Sequence, residues 1–332
     1  MGLRRIGDLR AGMSRLRTSV QLRLPNDDDD VPDAAIILIT AAPSSSGFKC
    51  RAGREVGQPE CCRWFEVMDD LQDNLFHRSC GAEVRQSLRL QWHDAISYSL
   101  SQGPKSGGGA DGSIIAFPEE LTYHENIGLA DIAARQRTFA LEHNITFGDL
   151  VHFAGVVGLS NCAGAPNLRF LAGRANATQP AADGLVPAPF HSADTMLARM
   201  TDAGFSPAEL VALLAGHSVA TQHTIDPDVD GAPLDSTPHS FDHRFFAETV
   251  IKGTVCPGAA LHKGEVLSSS RHQFRLQSDY ALAHDPRTAP TWKAFAEDPE
   301  EMKKRFADAM EKLSVVGQEG AALVDCSDVI SG

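Results

Sequence analysis

The chain has 332 residues and is acidic, with 43 Asp and Glu against 30 Lys and Arg and a formal charge of −13 at pH 7. Its length and its 42% hydrophobic content allow one large globular unit or two lobes with a buried core. The acidic balance argues against nucleic acid as a partner and favours neutral or cationic ones. No apolar run approaches the length of a membrane span, so we also expect no membrane partner.

The N-terminal segment differs from the rest of the chain. Residues 1–25 carry six Arg against one acidic residue, Asp8, a local charge of +5 that leaves −18 for the remainder. Such a start is typical of a transit peptide, but residues 27–30 are all Asp. The apolar run 34–42 is long enough for a signal-peptide core, yet acids rather than bases precede it. We predict that residues 1–49 lie outside the fold, as a disordered tail or as a mis-assigned start that replaces a signal or pro region.

Helical signals dominate the remaining sequence. Apolar residues recur at helical spacing over 62–76, 81–99, 192–203 and 298–316. Ser206-Pro-Ala-Glu209 is typical of a capping box with Pro at the first helical position, and the helix that it starts runs into Gly216-His217. The stretches 103–112, 163–189 and 226–240 are too rich in Gly and Pro to be helices. We predict an all-α fold with long ordered loops and little or no β structure.

Arg89 and His93 are the first candidate for chemistry. They lie four residues apart in Ser87-Leu-Arg-Leu-Gln-Trp-His-Asp-Ala95, so on a helix both side chains lie on one face. An imidazole can move a proton while a guanidinium beside it stabilises departing negative charge. Taken alone, the spacing is more typical of a buried His and a surface Arg. The other motifs of the chain decide between these interpretations.

Eight motifs follow one another over about 270 residues. They are Cys61-Cys-Arg-Trp-Phe65, Arg89-Leu-Gln-Trp-His-Asp94, Gly107-Gly-Gly-Ala-Asp-Gly-Ser113, Leu159-Ser-Asn-Cys162, Leu214-Ala-Gly-His-Ser218, Asp235-Ser-Thr-Pro238, Gln277-Ser-Asp279 and Cys326-Ser-Asp-Val-Ile330. In this order they resemble the secreted fungal class II haem peroxidases, the family of lignin, manganese, versatile and generic peroxidases. The resemblance implies the haem peroxidase fold over 50–332, in which two helical lobes, about 50–190 and 191–332, sandwich one haem b. It also implies a monomeric oxidoreductase that uses hydrogen peroxide.

On the distal side of the haem, the resemblance implies a catalytic group of three residues. His93 would act as general base and then acid, Arg89 as an electrostatic clamp, and Asn126 as acceptor from the second nitrogen of His93. Glu120 is expected in the same network. Trp92 stands where the family usually has Phe, either as an aromatic plate over the haem or as an indole donor that tunes the oxidised intermediate.

On the proximal side, the resemblance implies that one ring nitrogen of His217 is the axial ligand of the haem iron. Asp279 would accept a hydrogen bond from the other ring nitrogen of His217. Leu234 replaces a Phe that the family usually has nearby. Two calcium ions are implied next to the two His residues, in oxygen-rich sets suited to a hard cation. The first set is Asp94, Gly109, Asp111 and Ser113; the second is Ser218, Asp235, Thr237, Ser240 and Asp242.

The cysteines and the glycosylation sequons indicate where the protein acts. Of the seven Cys, the resemblance implies the pairs Cys50–Cys62, Cys61–Cys326 and Cys80–Cys162, and it leaves Cys256 as a free buried thiol. A fourth family bridge is missing, since Pro290 stands at one of its positions. The triplets at Asn144 and Asn176 are glycosylation sequons. These features predict an extracellular glycoprotein.

The positions that set the electron donor lack the residues of the specialised subtypes. The three carboxylates of a manganese site are replaced by Ala82, Gln86 and His223, and the surface Trp of ligninolytic members by Ala212. The chain is therefore most similar to the generic subtype, which oxidises phenols and similar small aromatic donors at the haem edge, here near His124, Ile127 and Ile225. Alternatives are a catalytically impaired protein that binds haem or calcium, a manganese or lignin peroxidase variant, and a radical route through Tyr98, Tyr123 or Tyr280.

Overall fold

Twelve α-helices dominate residues 47–103 and 107–331, which are the residues that the computed structural model describes. In chain order they are α1 Arg63–Leu71, α2 Ala82–Ile96, α3 Ser113–Ala116, α4 Ala130–Glu142, α5 Phe147–Leu159, α6 Ala193–Asp202, α7 Pro207–Leu213, α8 Arg244–Thr249, α9 Gln277–His284, α10 Ala289–Glu297, α11 Pro299–Leu313 and α12 Asp328–Ser331. The prediction of an all-α fold is confirmed. Residues 1–46 of the predicted tail lie outside the described residues.

The helices predicted from apolar spacing form, with boundaries set by local chemistry. The segment 62–76 is α1 followed by a π-helical turn, Gln72–Phe76, which ends at His77 in the left-handed conformation. The capping box of α7 is present, because Ser206 Oγ accepts from Glu209 N and the Glu209 carboxylate accepts from Ser206 N. α7 continues as the 3-10 segment Leu214–Val219, which carries His217.

In the described part of the chain, four two-residue strands form two antiparallel pairs. β1 Phe48–Lys49 pairs with β2 Glu55–Val56, and β3 Leu171–Ala172 pairs with β4 Val324–Asp325. The second pair brings the C-terminal segment onto the long connector 163–189. The three disulfides implied by the resemblance are present: Cys50–Cys62, Cys61–Cys326 and Cys80–Cys162. Cys256 is free, as expected, but half-buried rather than fully buried.

One continuous apolar core positions the elements that bear the candidate residues. α2 packs against α5 and α4, while α7 packs against α11 and α8 packs against α10. Phe245 of α8 lies between His217 and Trp292, with ring centroids 5.4 Å from each. None of the helices in the described ranges combines the length and the apolar character needed to span a bilayer.

Candidate active site

The hydrogen bonds around His93 determine which of its nitrogens carries a proton. Arg89 Nε donates to His93 Nε2 at 3.2 Å, so Nε2 holds a lone pair. His93 Nδ1 therefore carries the hydrogen and donates it to Asn126 Oδ1 at 2.7 Å. Asn126 Nδ2 in turn donates to the backbone carbonyl of Glu120 at 2.7 Å, which fixes the orientation of the amide. The network leaves Nε2 as a base beside a guanidinium.

Electrostatics keep this base neutral. Burial and the positive charge of Arg89 lower the pKa of His93 to about 3, and the bond to Asn126 offsets only part of that. A neutral imidazole is therefore available as proton acceptor at neutral pH. Once it has taken a proton, the same two influences make it a strong acid. His93 can therefore accept a proton and return it within one cycle.

Arg89 is a half-buried cation without a carboxylate partner among residues 47–103 and 107–331. Its Nη2 donates to the backbone carbonyls of Glu125 at 2.7 Å and Ile127 at 3.1 Å. Burial lowers its pKa to about 10, so it stays protonated at neutral pH. A fixed positive charge that no carboxylate neutralises is suited to stabilise negative charge as it develops on a small molecule.

His217 has a different partner. Its Nδ1 lies 3.0 Å from Asp279 Oδ2, and Asp279 is 2% exposed. Burial lowers the pKa of His217, but the Asp279 carboxylate more than offsets it and the net pKa is raised. The opposite nitrogen, Nε2, has no protein partner in the described structure, and 30% of the side chain is accessible although it lies between packed elements. An imidazole held by a carboxylate, with its second nitrogen free, fits the axial ligand of a haem iron.

The first oxygen-rich cluster lies directly behind the distal His. Asp94 is fully buried, and its carboxylate accepts from Gly112 N at 3.0 Å. Burial raises the pKa of Asp94 and of Asp111, and the proximity of Asp111 raises that of Asp94 further. Ser113 N donates to Asp111 Oδ1 at 2.9 Å, which lowers the pKa of that carboxyl, whereas Ser113 Oγ has no hydrogen-bond partner among the described residues. A buried carboxylate, a half-buried one and an orphaned hydroxyl fit a hard cation.

Gly109 is the residue of this cluster that has no side chain to offer. Its φ is +102°, and a Cβ there would lie 2.7 Å from the carbonyl oxygen of Val316. Only glycine allows the loop to pass this close to the segment after α11. The loop then passes over Asp94, whose carboxylate accepts from Gly112 N at 3.0 Å and from Ile114 N at 3.5 Å.

The second cluster follows His217 in the chain. Ser218 and Asp235 are fully buried, and Ser218 Oγ and Asp235 Oδ2 have no hydrogen-bond partner among residues 47–103 and 107–331. Burial, followed by the charge of Asp242, raises the pKa of Asp235 to about 7 even though Thr237 N donates to it at 2.8 Å. Thr237 Oγ1 donates to Asp242 Oδ2 at 2.9 Å. The structure thus brings Asp235, Thr237 and Asp242 together, and the orphaned oxygens of Asp235 and Ser218 fit a second hard cation.

Both clusters mix carboxylates with hydroxyls and carbonyls. Within the described ranges, no group of three or more His, Cys, Asp or Glu side chains is arranged to hold a metal ion. The carboxylate, hydroxyl and carbonyl oxygens of the two clusters fit calcium, which prefers neutral and charged oxygens together.

Two features of the site were not fully predicted from the sequence. Glu120 belongs to the distal network, as expected, but it does so through its backbone carbonyl, while its carboxylate accepts from Ala181 N at 2.9 Å. His152 of α5 is buried beside the distal helix, with Nδ1 3.1 Å from Gln91 Nε2 and Nε2 3.9 Å from Asp94 Oδ2. A lone His inside an apolar helix carries no motif that would have pointed to this position.

Comparison with known proteins agrees with the geometry. The family model described as Peroxidase matches residues 65–298, and that of the fungal peroxidase extension region matches residues 301–331. Ligninase LG2 of Phanerodontia chrysosporium is 47% identical over 287 residues, which cover 85% of this chain and 77% of the relative. Versatile peroxidase VPS1 of Pleurotus eryngii is 46% identical over 286 residues, with the same coverage. The chain therefore belongs to the peroxidase family and is a fungal class II haem peroxidase, an oxidoreductase that acts on hydrogen peroxide.

Proposed function

We propose that this peroxidase is of the generic subtype and oxidises phenols and similar small aromatic donors by one electron at the haem edge. The cofactors are one haem b and two calcium ions. One observation supports this subtype. The manganese positions hold no acidic side chain, and the position of the ligninolytic surface Trp holds no indole.

In this proposal the distal residues cleave hydrogen peroxide. His93 Nε2 accepts the proton of one peroxide oxygen and delivers it to the other, which leaves as water. Arg89 stabilises the negative charge that develops on the departing oxygen. Asn126 keeps the proton of His93 on Nδ1 so that Nε2 stays free, and the neutral state of His93 makes the base available without prior deprotonation.

On the opposite face, His217 would bind the iron and Asp279 would hold the ring and increase its basicity. Haem, when bound, would supply the two electrons that reduce hydrogen peroxide, and the donors would later return them one at a time. Trp92, half-buried next to His93, would form the distal aromatic plate. The two calcium ions would fix the ends of the segments that carry His93 and His217, because Asp94 and Ser218 directly follow these two residues in the chain.

The candidate manganese position is not acidic. Ala82 is exposed, Gln86 is half-buried with an unpartnered Oε1, and His223 Nδ1 lies 2.7 Å from Asp230 Oδ1. The nearest acid in sequence, Glu83, pairs with Arg135 at 3.2 Å and so has its own partner. A divalent cation would meet too little negative charge here to bind.

The surface Trp that relays electrons in ligninolytic members is also missing from this chain. Ala212 is 2% exposed, and Trp64 and Trp292 are buried at 3% and 0%. Bulky donors that cannot reach the haem edge need an exposed aromatic side chain that relays electrons. This supports small donors that enter at the edge formed near His124 and Ile127, whose side chains are exposed.

Extracellular action as a monomer completes the proposal. Three disulfides are typical of an oxidising compartment. The sequon residues Asn144 and Asn176 are both exposed, as glycosylation requires.

The test is steady-state oxidation by the haem-reconstituted protein with peroxide and one of three donors: Mn(II), veratryl alcohol or a simple phenol. We expect turnover of the phenol and little of the other two. Efficient oxidation of Mn(II) or veratryl alcohol would overturn the generic subtype, and no turnover with bound haem would favour an impaired, haem-binding protein.

A gain-of-function variant sharpens this test. The triple substitution Ala82→Glu, Gln86→Glu and His223→Asp places three carboxylates at the manganese position. We expect it to gain Mn(II) oxidation while phenol turnover stays within about twofold, because these positions lie outside the distal network.

A further inference from the structure

The opening to the distal cavity can be located from the contacts of Arg89. Its Nη2 bonds to the carbonyls of Glu125 and Ile127, so the loop 124–128 borders the cavity. A Cβ built on Gly128 would lie 3.5 Å from Arg89 Nη1 and 3.4 Å from Thr224 Cγ2. Thr224 is seven residues after His217 and is exposed. The distal and proximal loops thus meet at the surface at Gly128.

Phe190 lies beside this opening and connects to both sides of it. Its ring centroid is 6.3 Å from that of His124, edge-on at 71°. Its backbone is held by α9, since Gln277 Nε2 donates to Phe190 O at 3.4 Å and Ser278 N donates to Pro189 O at 2.9 Å. Asp279, the partner of His217, is the next residue in that helix. Phe190 is half-buried, so part of its ring faces solvent.

A lysine covers the other side of the Phe190 ring. Lys263 Nζ lies 3.4 Å from the ring centroid, a cation–π contact, and the side chain is exposed. No carboxylate lies within 4.0 Å of this ammonium in the described part of the chain. Its neighbour Gly264 has φ +96° and is held by Gln277 N, which donates to Gly264 O at 2.8 Å. The ammonium is therefore a fixed, unneutralised positive charge on a protein of net charge −13.

We propose that Phe190 and Lys263 form a subsite that selects aromatic donors bearing a carboxylate, such as hydroxycinnamic acids. The donor ring packs against Phe190 and His124, and its carboxylate pairs with the Lys263 ammonium. The phenolic hydroxyl is left to face the opening at Gly128. This names a substrate class for the proposed function and rests on it. The chemistry stays that of a peroxidase: two phenols each lose one electron and one proton, and one hydrogen peroxide becomes two waters.

The experiment compares ferulic acid with its methyl ester, which keeps the phenol and removes the charge. In Lys263→Gln holoenzyme we expect kcat/KM for the acid to fall roughly threefold to fivefold, the range of a partly exposed ion pair. Lys263→Glu should lower it about tenfold, because repulsion replaces attraction. The loss should lie in KM rather than in kcat, and the ester should change by less than twofold.

Two variants serve as controls. Lys293→Glu changes the net charge by the same amount on α10, where Lys293 pairs with Glu297, and we expect no discrimination between acid and ester. Phe190→Leu should weaken both donors equally, because it removes the ring contact and keeps the ammonium. The Lys263 effect should also shrink in 0.5 M salt, where screening is stronger.

Binding provides a readout apart from turnover. Saturation-transfer NMR with ferulate and the resting holoenzyme should show weaker binding to Lys263→Glu than to the wild type. Equal losses for acid and ester, or unchanged ferulate kinetics, would overturn the subsite. If the wild type oxidises neither donor, the proposed function fails, and ferulate binding alone decides the subsite: weakening by Lys263→Glu supports it and unchanged binding refutes it.

Discussion

Replacing Asn126 by Val tests whether one amide sets the protonation of the distal base. Asn126 is 3% exposed, and its Oδ1 accepts the Nδ1 hydrogen of His93 at 2.7 Å. Val removes the acceptor with little change in volume and leaves a buried N–H unsatisfied, which costs about 1–3 kcal/mol. Part of the population then moves its hydrogen to Nε2, where it cannot act as a base. If the full cost of about 1–3 kcal/mol is added to the activation free energy, the reaction with peroxide should slow by roughly 5- to 150-fold.

Stopped-flow absorbance of the holoenzyme mixed with excess peroxide measures this rate directly. Gln136→Leu is the matched control, since Gln136 Nε2 donates to Ser87 Oγ at 2.9 Å and also joins α4 to the distal helix through a buried bond. The control should lose comparable stability and keep the wild-type rate. A wild-type rate in Asn126→Val, with haem content unchanged, would refute the role of Asn126.

Three further expectations concern stability. Cys61→Ala with Cys326→Ala opens a loop of 265 residues and should lower the unfolding free energy by about 5 kcal/mol in urea titrations; a loss below about 1 kcal/mol would contradict the chain-entropy argument. Burial raises the pKa of Glu209, but Lys312 Nζ at 2.8 Å and the cap more than offset it, so the pKa is lowered. The stability that Glu209 provides is present above its unfolded pKa and is lost as the pH falls below about 4.5 towards its folded pKa. In Glu209→Gln, the fall of the unfolding free energy over this acidic range should therefore be smaller by about 1 kcal/mol. The same fall as in the wild type, measured by unfolding at a series of pH values, would contradict this. In chelator, Ser218→Ala should leave the stability unchanged or raise it, because it removes an orphaned buried hydroxyl. With calcium present, the same substitution should lower the stability. If no cation binds there, thermal unfolding would show the same effect of the substitution in both buffers.

The parts of the molecule that depend on local sequence were predictable. The capping box of α7 acts over four residues, and Arg89 and His93 share a face because a helix places them there. The helix α5 escaped prediction for the opposite reason. Every residue from 148 to 159 is buried, so the helix has no polar face and no amphipathic period, and it contains three glycines that lower helix propensity.

Contacts between distant segments were not predictable from residues alone. The pairing of Lys263 with Phe190 joins positions 73 residues apart and depends on how two loops lie on α9. The role of the Glu120 carbonyl was not predictable either, because a sequence pattern does not show which backbone groups accept hydrogen bonds. Resemblance to a family anticipated the disulfides and the Asp279 partner of His217, which spacing could not have given.

The Cys61–Cys326 bridge has a consequence for the order of events during synthesis. Cys62, its neighbour, finds Cys50 only 12 residues away and can pair early, whereas Cys61 can pair with Cys326 only after a further 265 residues have been synthesised. Closure also requires β4 to reach β3, because Cys326 directly follows β4. Oxidation of this last pair therefore reports that the C-terminal segment has docked.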